Sequence, residues 1–180
     1  MRHRKSILAL AAAAGIAALV ATAACTADSG GGESPSAQER RPQVESREAR
    51  LEAVAAAAEA YPEASGAAAM TVDDATTVEL EVAGLRPDTA YTSHLHDAAC
   101  ENDPPGGGHW LASPEEGPSE GNEIHLRLTT DAEGRGSVSV ESDLVADGRV
   151  ESIVVHLDTA AAETGHEHPA SDRVLCGDFG

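Results

Sequence analysis

Residues 77–82 have the sequence TVELEV, in which Val78, Leu80 and Val82 alternate with polar side chains. Alternation with a period of two is typical of a β-strand that buries one face. Turn sequences such as DAEG separate further short runs of this kind. We expect strands at residues 67–72, 77–82, 90–96, 123–130, 136–141, 150–157 and 174–179. The pattern predicts an all-β sandwich or barrel with two long polar loops, at 97–121 and 158–172.

The N-terminus has the composition of an export leader. Three basic residues in the first five positions precede an apolar run at 7–20, which is too short to span a membrane comfortably. Small residues then lead to Cys25, as in a bacterial lipobox, although Thr22 stands where leucine is usual. We therefore expect a signal peptide at 1–24 and lipidation of Cys25, with simple secretion as the alternative.

The segment after Cys25 is rich in Gly, Ser and Pro and has little to bury, so it should form a tether. Leu51, Val54 and Ala58 would share one helical face, which predicts a short helix over residues 46–61. We therefore expect a lipid-anchored tether and helix at 25–62 and a β domain at 63–180.

Charge and cysteine content limit the class of protein. The chain has 12 basic and 31 acidic residues, a formal net charge of −19, and no basic patch, so nucleic-acid binding is excluded. If Cys25 is lipidated, Cys100 and Cys176 remain. Two thiols in an exported protein predict one disulfide bond.

Histidines mark the candidate site. His94 and His96 end a predicted strand and project to the same side, because residues i and i+2 share a face. His156 ends another strand, and His109 follows three glycines that would free the backbone to approach a metal. A lone His-x-His pair is also common on surfaces. Four imidazoles in this order predict a metal site, and they suit Cu(II) well, although zinc takes the same ligands.

Several segments together resemble the copper–zinc superoxide dismutase family over residues 66–180, and especially its actinobacterial-type lipoprotein members. The matching segments are VELEVAGL (78–85), SHLH (93–96), GHW (108–110), TDAEG (130–134), IVVH (153–156) and DRVLCG (172–177). The resemblance implies an eight-stranded Greek-key barrel. It also implies an enzyme that converts superoxide to oxygen and hydrogen peroxide.

The resemblance also implies roles for individual residues. His94, His96, His109 and His156 would bind copper, and His109 corresponds to the family's copper–zinc bridge and proton donor. Cys100 and Cys176 would form the family's intrasubunit disulfide bond. Arg173 would be the cation beside copper that attracts superoxide.

The zinc ligands depart from the family pattern, which has two further histidines and an aspartate after the bridging histidine. The segment after His109 offers instead Glu115, Glu116, Glu120, Glu123 and His125. His125 lies on the polar face of its strand, so we expect it to face solvent. Copper with little or no zinc is therefore expected. His166 and His168, in the second loop, could form a weak extra metal site or a solvated loop.

These expectations favour a copper-dependent superoxide dismutase on the outer face of the cell membrane. Two alternatives stay open: a copper-binding or copper-buffering lipoprotein without turnover, and a barrel that binds no metal. Family members occur as monomers and homodimers, so both states also stay open.

Overall fold

Eight antiparallel strands dominate the computed structural model, which describes residues 44–158 and 170–180. The signal peptide, Cys25, most of the tether, His166 and His168 lie outside the described residues. Among the described residues, no helix is both long and apolar enough to cross a membrane. The strands are β1 (Glu45–Ala53), β2 (Ser65–Val72), β3 (Thr76–Ala83), β4 (Ala90–His96), β5 (His125–Thr129), β6 (Gly136–Ser142), β7 (Ser152–Leu157) and β8 (Arg173–Asp178).

The strand order β5-β4-β7-β8-β1-β2-β3-β6 forms one sheet that curls into a nearly closed barrel. The connection from β3 to β4 crosses between the two halves of the sheet, as in a Greek key. The turn after β5 is held by Asp131, whose carboxylate accepts hydrogen bonds from the backbone N–H groups of Glu133 (3.0 Å) and Arg135 (2.8 Å). The predicted fold class, an all-β Greek-key barrel, is confirmed.

The predicted alternation places the core where expected. Val78, Leu80 and Val82 of β3 are buried, while Glu79 and Glu81 between them are exposed. The rest of the interior comes from aliphatic and aromatic residues of the other strands, among them Leu51, Met70, Tyr91, Leu95, Leu126, Ile153 and Leu175.

The predicted helix over residues 46–61 is wrong. Residues 45–53 form β1, which pairs with β2 over eight positions and, at its own end, with the middle of β8. Its Ala49 and Leu51 face the core, whereas the charged residues Glu48, Arg50 and Glu52 are exposed. Ala, Glu and Leu favour helix in isolation, but pairing with two neighbouring strands outweighs that weak preference. The sheet therefore begins before residue 63, and β1 adds an eighth strand to the seven expected from the sequence.

Candidate metal centre

β4 separates the core from the candidate site. Leu95 points into the barrel, so His94 and His96 point to the opposite side, where the long loop covers them. Both histidines are buried, at 2% and 0% exposed. Their spacing thus brings two imidazoles to the outside of the barrel wall and shields them from water.

The loop after β4 turns back along the end of that strand and carries His109. The N–H of Trp110 donates to the carbonyl of Leu95 (2.8 Å), and the N–H of Asp97 donates to the carbonyl of Gly108 (3.1 Å). His109 therefore lies opposite His96 in a short antiparallel bridge. The glycines before it permit this path, since Gly106 has a φ of 84° and the loop packs directly on Val154 of β7.

His156 reaches the same place from β7. It pairs with Thr92 of β4, so its side chain shares the outer face with His94, while Ile153 and Val155 face the core. A β-bulge between Val155 and His156 shifts the register against β8. Nε2 of His156 lies 3.3 Å from Nε2 of His96.

The structure brings all four predicted histidines together. Their ligand atoms lie within 4.8 Å of one another, and all four rings are buried. The rings of His94 and His109 stack with centroids 4.2 Å apart, and those of His96 and His156 stack at 5.4 Å. Burial holds the pKa of His96 well below its usual value, and nearby His109 and Arg173 lower it further. His96 is therefore neutral at neutral pH, which is the form that binds a metal.

Arg173 begins β8 beside this cluster and is 6% exposed. Its guanidinium donates hydrogen bonds to the carbonyls of Pro105 and Gly107, the latter at 2.8 Å. The cation is thus fixed to the loop that carries His109. Its charge is close enough to contribute to the lowered pKa of His96.

The predicted disulfide bond between Cys100 and Cys176 is confirmed, with an S–S distance of 2.07 Å. It joins the long loop to β8, and the N–H of Cys100 also donates to the carboxylate of Asp178 (2.8 Å). The loop is therefore fixed to β8 both by this bond and by Arg173.

The prediction that His125 faces solvent is wrong, since its side chain is 9% exposed. His125 lies on the outer face of β5 as expected, but it pairs directly with His94, and the long loop covers this end of the barrel. Nδ1 of His125 lies 2.8 Å from Nε2 of His94. Alternation along a strand identifies a face, and it cannot show whether a distant loop covers that face.

Glu123 completes this arrangement with a side chain that is 4% exposed. One carboxylate oxygen lies 3.2 Å from Nδ1 of His109, and the other lies 3.3 Å from Nε2 of His125. His94, Glu123 and His125 also offer ligand atoms within 4.8 Å of one another. From the sequence, Glu123 was only one of the residues after His109 that stand in place of the family's zinc ligands.

The chain is similar to known proteins in structure and not in sequence. No family model and no curated protein matches the sequence. Solved structures do match. One is a Cu/Zn superoxide dismutase from Brucella abortus, with a TM-score of 0.50 and 19% identity over 74% of this chain and 99% of that one. Another is a double mutant of a SOD-like protein from Bacillus subtilis, with a TM-score of 0.50 and 15% identity over 73% of this chain and 95% of that one.

The chain has the superoxide dismutase-like fold. In this superoxide dismutase-like barrel, Asn122 holds the far end of the loop. Its side-chain amide donates to the carbonyls of Ser113 and Gly117, both at 2.8 Å, and its oxygen accepts from the N–H of Ser113 (2.7 Å). Asn122 is 3% exposed and immediately precedes Glu123, so this network positions the carboxylate. No sequence pattern pointed to Asn122, because its partners are loop backbone groups.

Proposed function

We propose that this protein is an exported, copper-dependent superoxide dismutase. The reaction consumes two superoxide anions and two protons and yields one dioxygen and one hydrogen peroxide. The observation that carries the proposal is the convergence of four buried histidines, His94, His96, His109 and His156, beside the fixed cation of Arg173. The superoxide dismutase-like fold supports it.

The donor set fits copper. Neutral imidazoles are good ligands for this metal, and copper binds nitrogen sites more tightly than the other divalent first-row metals. His94, His96, His109 and His156 would hold the ion. A bound copper ion would supply the electron exchange between two superoxide anions.

The chain's own residues would do the rest. Arg173 would attract and orient the anion, because a buried cation acts strongly over short distances even in a negatively charged protein. His109 would hold a proton for the product. We propose little or no zinc, because Glu123 and His125 are already in contact with each other and with two of the histidines.

The proposed location is the outer face of the cell membrane, with Cys25 lipidated. The N-terminal leader supports export, and the Cys100–Cys176 disulfide bond is consistent with an oxidising compartment. Cys25→Ser should move the protein from the membrane fraction to the medium. Retention of this variant in the membrane fraction would contradict the lipid anchor.

The decisive experiment measures metal content and dismutation in the purified protein after loading with copper alone and with copper plus zinc. We expect one copper per chain and rapid dismutation without zinc. Failure of His96→Ala to lose both copper and activity would contradict the assigned site. Activity that requires zinc would overturn the copper-only part of the proposal.

A copper-binding protein without turnover is the second candidate. Among the charged residues that line the cavity beside His109, Asp97 and Glu151 outnumber Arg149 and would repel an approaching anion, and the net charge of −19 adds to this effect. Stoichiometric copper without dismutation would favour this role.

A further inference from the structure

Each imidazole has two ring nitrogens, and a metal-binding histidine commonly offers its second nitrogen to another group of the protein. Two of the four clustered histidines are connected in this way by one short chain of contacts. Nε2 of His94 is 2.8 Å from Nδ1 of His125, and Nε2 of His125 is 3.3 Å from Glu123. The other oxygen of Glu123 is 3.2 Å from Nδ1 of His109.

Strand pairing positions the two histidines of these contacts, and buried neighbours position the glutamate. His94 and His125 are paired across β4 and β5, so their side chains share one face by register. Glu123 sits between buried Asn122 and buried Ile124 at the end of the loop. Burial of a carboxylate is costly unless it is paired, and here the histidine rings are its partners.

The carboxylate of Glu123 determines which ring nitrogens of the neighbouring histidines carry protons. A carboxylate oxygen attracts a ring N–H and repels a ring lone pair, so its contacts at 3.2 and 3.3 Å favour a proton on Nδ1 of His109 and on Nε2 of His125. Nδ1 of His125 then accepts from Nε2 of His94. This arrangement leaves Nδ1 of His94 and Nε2 of His109 with lone pairs, as two metal ligands require.

The short distance between Nε2 of His94 and Nδ1 of His125 disfavours a metal ion bound between these two nitrogens. Two nitrogens bound to one zinc ion at 2.0–2.1 Å with tetrahedral geometry lie about 3.3–3.4 Å apart. The observed 2.8 Å is a hydrogen-bond length, so these rings contact each other directly.

We propose that Glu123 and His125 form a brace that fixes the orientation and tautomer of His94 and His109. Both are positioning residues, and the proposal rests on the proposed function only in taking His94 and His109 as copper ligands. The brace contacts Nδ1 of His109 and leaves Nε2 for the metal. It holds two ligands in place through protein groups alone.

The first test reads the tautomers of the metal-free protein by nitrogen-15 NMR. We expect a proton on Nδ1 of His109 and on Nε2 of His94. The opposite tautomer at His109 would overturn the brace. This result is independent of copper and of dismutation, so failure of the proposed function would leave it standing and would be recognised separately.

The second test measures copper affinity and the Cu(II) electron paramagnetic resonance spectrum of Glu123→Gln, with Glu116→Gln as the matched control. Glu116 is an exposed carboxylate of the same loop. Loss of a group that orients a metal ligand lowers affinity by about 10–100-fold. We expect that loss and a changed spectrum for Glu123→Gln only. Equal behaviour of the two variants would overturn the brace.

Substitutions at His125 separate the brace from simple packing. His125→Phe fills the space without hydrogen bonds and should behave like Glu123→Gln. His125→Gln can still accept from His94 and donate to Glu123, so it should restore most of the affinity. No recovery in His125→Gln would contradict the proposal. Stoichiometric zinc that disappears in Glu123→Gln and His125→Phe while copper affinity is retained would instead identify a second metal site.

Discussion

The guanidinium of Arg173 donates a hydrogen bond to the carbonyl of Gly107, two residues before His109. The same side chain is also hydrogen-bonded to Pro105. The cation proposed to attract superoxide is therefore hydrogen-bonded from β8 to the loop that carries a proposed copper ligand. The positive charge of Arg173 and its two hydrogen bonds to the loop can be tested separately by substitution.

Arg173→Lys should retain copper and lose activity. The charge stays, but lysine cannot reproduce the two fixed hydrogen bonds, so the cation is less well placed. We expect kcat/KM to fall about tenfold, and further in Arg173→Ala, because local fields of this kind change rates by about 10–1,000-fold. Pulse radiolysis at several ionic strengths would measure the effect. Arg135→Ala is the control, since Arg135 is an exposed arginine in the turn between β5 and β6. Unchanged activity in Arg173→Ala at full copper content would refute the steering role.

Gly106→Ala should disturb the histidine cluster, whereas Gly108→Ala should not. A Cβ at Gly106 would lie 2.6 Å from Val154 and the backbone has a φ of 84°, whereas a Cβ at Gly108 would meet only Asp97, at 3.5 Å or more. We expect Gly106→Ala to cost about 1–3 kcal/mol of unfolding free energy and to weaken copper binding. Urea unfolding and copper titration would measure both quantities. Equal effects of the two variants would contradict the close packing of the loop on β7.

The double variant Cys100→Ser, Cys176→Ser should be less stable by about 4–5 kcal/mol. The disulfide bond closes a loop between residues 76 positions apart, so its loss increases the entropy of the unfolded chain. The midpoint of urea unfolding, compared with that of the oxidised parent, would measure the loss. Removing both thiols avoids mispaired disulfides. A variant as stable as the parent would contradict this entropic contribution.

Stability should fall as pH rises from about 10 to 12, and Tyr91 should account for much of that fall. Burial raises the pKa of Tyr91 to about 12, and the nearby hydroxyl of Tyr61 contributes to the rise. In the unfolded chain a tyrosine loses its proton near pH 10, whereas folded Tyr91 keeps its proton until about pH 12. Between these values the ionisation stabilises the unfolded chain relative to the folded one. The contribution of Tyr91 to the free energy of unfolding is fully present below about pH 10. It is lost as the pH rises through the pKa of Tyr91 in the folded protein, about 12.

Tyr91→Phe tests this dependence. It should cost about 1–2 kcal/mol at pH 7, because the N–H of Arg86 loses the hydroxyl that accepts its hydrogen bond. Its unfolding free energy should then depend less steeply on pH between 10 and 12. Denaturant unfolding at a series of pH values would compare the two proteins. Parallel curves would show that other groups control alkaline stability.

Strands with one apolar face were predictable because alternation in the sequence directly reflects burial, as in β3 and β5. The grouping of His94 with His96 followed from the same geometry, and the addition of His109 and His156 relied on the order of motifs. β1 was missed because its small and charged residues also suit a helix, and only pairing with β2 decides between the two.

The environment of His125 was missed for a different reason. Its face on β5 was predictable, but its cover comes from a loop whose path depends on backbone contacts of Asn122 and Trp110. Glu123 likewise acquires its contacts only when that loop is in place. Local patterns therefore identified the barrel wall, and the loop contacts determined the surroundings of the site.

The alternation of β4 has a consequence for protein engineering. Leu95 supports the interior, while His94 and His96 face outward beneath the loop. Donor atoms can therefore be exchanged on one side of the strand without repacking the other. To obtain selectivity for a different metal ion, the outward-facing residues of β4, β5 and β7 could be varied together while the residues of the barrel interior are left unchanged.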